Sequence, residues 1–283
     1  MANKKYKKND LEILIATMHR SDLLFLETMF QKPLDQINEN LIIVNQSFDH
    51  QLTSEIQHIK VINNKEYGLS KSRNLAIKHS TKDLCWILDD DCVLLSDAVD
   101  QVIEAHQEYT SDVLTFKTKT HKGQDFYNYP DTFSCLDFKA IEKVLSPEIT
   151  FKREAILTAG LIFDQRFGLG AQFQDAENYI FLDEVLKKNL KISFVPETIV
   201  QHEAHTSSDD VASNRVIYAR GAIAGRRNII TAVYYQFKYV FFLWRKGYVK
   251  SLSKLWEKFM VFQHGANDYV SGFEGHRINH PKQ

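Results

Sequence analysis

Three consecutive carboxylates, Asp89, Asp90 and Asp91, end the apolar run of "DLCWILDDDCVLL". Like charges this close raise each other's pKa and destabilise their surroundings unless something positive lies among them. Asp89 and Asp91, two residues apart at the end of a strand, can both turn toward one cation, with Asp90 pointing elsewhere. A hard divalent ion such as Mg2+ or Mn2+ prefers oxygen ligands and commonly bridges one or two carboxylates to substrate phosphates. The same spacing also fits a solvated acidic loop or a helix N-cap, where acids are favoured.

Other residues with chemical potential are scattered along the chain. "GLSKSRN" sets Arg73 and Asn74 on a helix beside the Asp89 loop, where a guanidinium suits a phosphate or the aspartates themselves. An exposed arginine on an ordinary amphipathic helix reads the same way. Asp175 and Glu177 in "QDAENYIFLDEVL" stand at a helix start, able to cap it or to face a cleft. His202 and His205 follow the next strand, and a single histidine is more often structural than a ligand.

The elements that must position these groups follow from hydrophobic patterning. "EILIAT", "NLIIVNQS", "HIKVINN" and "DLCWILDDD" are compact β-branched runs ended by polar residues, as buried parallel strands are. Between the third and fourth, Leu69, Ser72, Leu75, Ala76 and His79 recur at helical spacing. Strand, helix, strand in this order predicts an α/β domain with a mostly parallel sheet and ligands at the carboxyl ends of its strands. A helix near 97–108, a strand "DVLTFKT", a long polar loop from His121 to Ser134, "EITFKREAI", a helix over about 176–188 and a strand "KISFVP" complete it. Loops of that length are often lids or binding loops, and as often plain surface.

From Ser207 the chain turns helical, basic and aromatic. Residues 211–262 hold ten Lys or Arg against one acid, Glu257, a local balance of +9, so with a net charge of -1 the remainder sums to -10. Such asymmetry points to a basic face meeting something anionic, or to a solvated helix. Ile230, Val233, Phe237, Val240, Phe241 and Trp244 fall on one helical face, ringed by Arg226, Arg227, Lys238, Arg245, Lys246, Lys250 and Lys254. A helix of that kind lies in a membrane interface, or packs on the rest of the chain or on a second subunit. "IITAVYYQFKYVFFLW" is shorter than the ~18 residues needed to span a bilayer. The apolar run after the N-terminal lysines is too short for a signal peptide, and three cysteines without metal-ligand spacing suggest a reducing compartment. The expectation is a cytoplasmic protein, peripheral on the inner face of the cytoplasmic membrane if the basic helix binds there. The boundaries expected are a basic tail over 1–10, a catalytic domain over 11–206 and a helical extension over 207–283. Nucleic acid is a poor partner, because the strand-rich half is acidic and carries no nucleic-acid motif.

The ordered set of segments resembles the bacterial family-2 glycosyltransferases of the GT-A fold, especially a surface-polysaccharide branch. It runs through "LEILIATMHRSDLLFLE", "NLIIVNQS", "GLSKSRNLAI", "ILDDDCVL", "FDQRFGLG", "YIFLDEVLKKNLKISFVPETIVQH" and "YARGA", roughly 11–222. The resemblance implies a Rossmann-like, mostly parallel sheet flanked by helices. It also implies a nucleotide-diphosphate sugar donor, UDP-linked, lying across the carboxyl ends of the first strands. By position, Thr17, Gln46, Arg73, Asp89 and Asp90 would contact the donor, and Asp89, Asp91 and His202 would hold Mn2+ or Mg2+. The acceptor implied is a saccharide, polyprenyl-diphosphate-linked, in capsule or exopolysaccharide synthesis. A carboxylate would take the acceptor proton, with inversion at the anomeric carbon. Here the chain departs from the pattern, because Asn178 falls where the usual base would be. Glu177, then Asp175, are the remaining candidates. Two other readings stay open: a silent GT-A domain that binds a sugar nucleotide within a synthesis complex, or a sugar nucleotidyltransferase. Against the second, "ATMHRSD" lacks the glycine-rich loop usual after the first strand. A homo-oligomer is compatible with all of these.

Overall fold

The computed structural model describes residues 5–203 and 210–272. They divide into two compact units, the first formed by 1–163 and 178–204, the second by 164–177 and 205–283. His205 lies outside the described residues.

The first unit is built on one nine-stranded sheet. Its parallel half holds β1 (Leu11–Met18), β2 (Asn40–Gln46), β3 (Ile59–Asn64) and β4 (Leu84–Asp89), in the order β3-β2-β1-β4. These are the four β-branched runs of the sequence. Ile13, Ile15, Ile42, Ile43, Val44, Trp86, Ile87 and Leu88 are all buried, as both faces of a covered parallel sheet require. Helix α1 (Phe25–Phe30) and helix α2 (Leu69–His79) follow β1 and β3.

Beyond β4 the sheet becomes mixed. A two-residue strand β5 (Val93–Leu94) and helix α3 (Ala98–Glu108) precede β6 (Val113–Thr120), and β7 is again two residues (Ser134–Cys135). The segment "EITFKREAI" folds as β8 (Ile149–Lys152) and helix α4 (Arg153–Thr158), and β8 inserts antiparallel between β4 and β6. After helix α5 (Glu177–Lys187), the long strand β9 (Ile192–His202) runs parallel to β6 and antiparallel to β5 and β7. The polar loop after β6 is tied down at Tyr129. Its hydroxyl donates to the buried Glu148 at 2.5 Å and accepts from the Thr118 amide, while its ring stacks on Phe194.

In the second unit three helices follow in succession: α6 (Asn214–Arg227), α7 (Ile229–Arg245) and α8 (Leu252–Ser271). Asparagine at 228 separates α6 from α7 and caps the latter through the Thr231 amide. Helices α6 and α8 approach backbone to backbone. A Cβ on Gly221 would collide with the carbonyl of Phe262, and one on Gly265 with that of Tyr218. The strip 164–177 belongs to this unit through contacts such as Gln172 with the Tyr218 hydroxyl, the Gln174 carbonyl with Arg215, and Arg166 over the Tyr269 ring. No helix among the described residues is long and apolar enough to cross a membrane.

Candidate active site

The three aspartates leave the sheet at the carboxyl end of β4 and go three ways. Asp89 is the last residue of the strand, and Arg73 of α2 donates to both its oxygens at 3.1 Å. Ser146 adds a hydroxyl at 2.9 Å. Arg73 is itself buried, stacked 5.5 Å over the Phe163 ring, and its other terminal nitrogen donates to Asn178 Oδ1 at 2.9 Å. Asn74, next on α2, exchanges two hydrogen bonds of 2.8 Å with the Phe163 backbone and so fixes the ring beneath the guanidinium.

Asp90 turns toward β1. The parallel register sets Ala16 beside Asp89, so Thr17 and Asp90 emerge together, and the Thr17 hydroxyl donates to Asp90 Oδ2 at 2.6 Å. Arg20 donates to the same oxygen from Nε at 3.0 Å and from Nη2 at 2.8 Å. Arg20 is held in turn by Asn45, which bonds both its amide and its carbonyl, and by the Phe25 ring.

Asp91 is the exposed member, with 58% of its side chain accessible. Pairing of Val93 and Leu94 with Gln201 and Val200 carries it to the end of β9, where His202 Nε2 lies 3.3 Å from its Oδ1. The imidazole's hydrogen bond to this carboxylate, opposed by burial, holds His202 up at about 9, and the same bond holds Asp91 below the usual carboxylate range. The other imidazole nitrogen, Nδ1, meets the Glu203 carbonyl at 3.0 Å, and the Phe126 ring stands edge-on to it.

Asp91, Cys92 and His202 offer three ligand atoms within 4.8 Å of one another. Burial, with the charges of Asp89 and Asp91 behind it, pushes the Cys92 thiol far up, which keeps it protonated and unfit to bind a hard cation. One carboxylate and one imidazole remain; the imidazole, whose proton Asp91 holds in place, would release that proton on ligating an ion such as Mn2+, with phosphate and water completing the set. Asp89, expected from its spacing to share this ion, stands outside the cluster because its oxygens accept from Arg73 and Ser146. Asp90 turns away from this cluster, toward Thr17 and Arg20.

Thr17 and Gln46, expected to line a nucleotide pocket, are both buried. Thr17 supports Asp90, and the Gln46 amide donates to the Glu66 and Gly68 carbonyls, shaping the turn before α2. What stands open at the ends of β1 and β2 is an aromatic cluster that the sequence patterning missed. The Tyr67 ring lies 5.6 Å from His19 and 5.1 Å from Phe48, and Phe48 is 59% exposed. Arg20 and Ser146 were missed for the same reason, since each meets its aspartate across 57 to 70 residues of chain.

The candidate bases are differently placed. Glu177 opens α5 and is partly buried. Asp175 is buried and lies 3.5 Å from Arg220 of α6. Between them Ala176 adopts a left-handed backbone, φ 69°, which costs an alanine about 1 kcal/mol.

A sequence model described as glycosyl transferase family 2 matches residues 13–177, more than half of the chain. A search of curated proteins gave no match. Among solved structures, the crystal structure of S. aureus TarS 1-349 superposes with a TM-score of 0.56 at 15% identity, covering 93% of this chain and 82% of that one. The same TarS fragment in complex with UDP-GlcNAc gives a TM-score of 0.55 at 15% identity, over 92% of this chain and 81% of that one. At this identity the likeness concerns the fold.

Proposed function

The chain belongs to glycosyl transferase family 2, and from that premise we propose that it moves a sugar from a UDP-linked donor to a membrane-borne saccharide acceptor, with inversion and with the help of a divalent ion. The observation that carries this reading is the separation of the aspartate triplet. Two carboxylates are neutralised by fixed arginines, and the third stands exposed beside a histidine at the carboxyl end of the sheet, where α/β folds bind ligands.

Asp91 and His202 would hold the ion. When bound, it neutralises charge that builds on the departing diphosphate. Arg73 and Ser146 fix Asp89, and Arg20 and Thr17 fix Asp90, so neither carboxylate repels the diphosphate at full strength. Tyr67 and Phe48 offer ring faces to the uracil, and the UDP-GlcNAc bound by the TarS fragment supports a uridine donor. The acceptor hydroxyl forms its bond to the anomeric carbon as the bond to the diphosphate oxygen breaks, and its proton passes to a carboxylate. Glu177, at the start of α5 and only partly buried, takes that role ahead of the buried Asp175. Asn178 cannot accept a proton and serves as an acceptor for Arg73. That amide is also what favours a silent, donor-binding domain as the second reading.

Thermal melting with UDP, with and without Mn2+, tests the site, because a ligand bound only by the folded state raises the melting temperature. Stabilisation that needs Mn2+ and is lost in Asp91→Ala is expected. No stabilisation by any nucleoside diphosphate under either condition overturns the reading, and donor binding without transfer selects the silent domain.

A further inference from the structure

Helix α7 carries one face that nothing in its own unit covers. Ile230, Val233, Tyr234, Phe237, Phe241 and Trp244 are between 47% and 81% exposed, and at 3.6 residues per turn they fall within an arc of about 100°. On the opposite side Ala232, Gln236 and Leu243 are buried against the neighbouring helices. The usual amphipathic arrangement is therefore doubled: one side packs inward, and the side turned to solvent is apolar as well. Phe237 meets Phe259 of α8 edge to face, and Phe259 stacks on the exposed Trp256, so the surface continues onto a second helix. Six large side chains exposed by about half amount to roughly 500 Å2, at the upper end of what a monomer leaves open without a use for it.

The charges around this face identify what covers it. Helix α7 contains no acidic residue. Lys238 and Arg245 flank the apolar arc on one side, and Lys246, Lys250 and Lys254 follow in the exposed turn and the start of α8, against the single acid Glu257. A second copy of the chain would set this cationic rim against itself, since a symmetric contact uses the same patch twice. A bilayer with anionic headgroups answers both features, taking the apolar ridge into its interface and the lysines onto its phosphates. Tyrosine and tryptophan at this level suit the boundary between headgroup and acyl chain. At 17 residues α7 is about 25 Å long, and its buried side prevents it from spanning, so it lies in the plane of the surface.

We propose that the α7 face, extended by Trp256, docks the protein onto an anionic phospholipid surface. This deepens the reading of a membrane-borne acceptor, but its test needs no sugar transfer. The whole chain is floated with vesicles of equal parts phosphatidylglycerol and phosphatidylcholine, and separately with phosphatidylcholine alone, without donor. Partition at least tenfold stronger to the anionic vesicles is expected, weakening as salt is raised. Phe241→Ser combined with Trp244→Ser should reduce it tenfold or more, and Lys246→Glu with Lys250→Glu should remove the preference for anionic lipid. Both pairs are exposed, so circular dichroism should stay unchanged. Absence of vesicle binding, or equal binding by the wild type and the serine pair, overturns docking. So does a sedimenting dimer that the serine pair converts to monomer, because a second copy then covers the face. UDP-dependent thermal stabilisation, measured on the same samples, reports separately whether the donor site stands.

Discussion

Arg73 joins Asp89 to Asn178 through one guanidinium: Nη2 lies 3.1 Å from both oxygens of the aspartate, and Nη1 lies 2.9 Å from the amide oxygen. The buried arginine is balanced by the Asp89 carboxylate, and the neutral Asn178 amide accepts from its other terminal nitrogen without adding a negative charge. Arg73→Ala leaves a half-buried carboxylate without its cation and should destabilise the protein by about 3 kcal/mol in urea unfolding. Arg73→Lys keeps the charge but not the fork, so its loss should fall between wild type and alanine.

The same geometry makes Asn178→Asp informative. An aspartate there can still accept from Arg73, so folding should persist. With the proton taken elsewhere, transfer should change by less than about threefold. A rise of tenfold or more would assign proton abstraction to position 178 and remove Glu177 from that role.

The carboxylates of the triplet should separate by ligand. Asp91→Asn or His202→Ala should weaken Mn2+ binding tenfold or more, followed by calorimetric titration in the presence of UDP, because each would remove one of the two proposed ligands. Asp90→Asn should leave Mn2+ affinity within about threefold, and its defect should appear in stability, through Arg20 and Thr17.

Glu148 introduces a pH dependence into the fold. Burial pushes its carboxyl up to about 7, while the Tyr129 hydroxyl and the Leu145 amide pull the other way. The folded protein therefore binds a proton at this site between about pH 4.5 and 7 that the unfolded chain has released. Stability from this group falls across that window as pH rises, with the full cost, on the order of 3 kcal/mol, reached above pH 7. Glu148→Gln should flatten that part of the profile of unfolding free energy against pH. An unchanged slope would place the titration elsewhere.

Close contact between α6 and α8 gives a steric test. Gly265→Ala sets a methyl group against the Tyr218 carbonyl, and backbone cannot rotate away as a side chain can. A loss of about 3 kcal/mol is expected in chemical denaturation.

The parallel half of the sheet was readable because burial on both faces forces unbroken β-branched runs, and Ile13, Ile43 and Trp86 all sit where those runs predict. The helix of α2 was readable from its spacing. Strand β8 was harder to place: four residues carry no sign of which neighbours they pair with, and its antiparallel insertion between β4 and β6 is decided by tertiary packing. The aspartates show the limit most directly. Alternation along a strand puts Asp89 and Asp91 on one side, but the strand ends at Asp89, and past that point direction is set by the pairing of β5 with β9. Arg20 and Ser146 come from distant segments, and no local pattern marks them as partners of Asp90 and Asp89.

The strip 164–177 interrupts the first unit to join the helices of the second, and the chain re-enters the first at Asn178. Both candidate bases, Asp175 and Glu177, travel on that strip. The helical tail is therefore not an appendage that recombination or an engineer can exchange at one junction. A chimaera joined after β9 would keep the strip but lose Arg215, Tyr218 and Arg220, against which it is folded. Heredity of the strip and heredity of the tail are thereby linked: a new tail must arrive with a strip to match it.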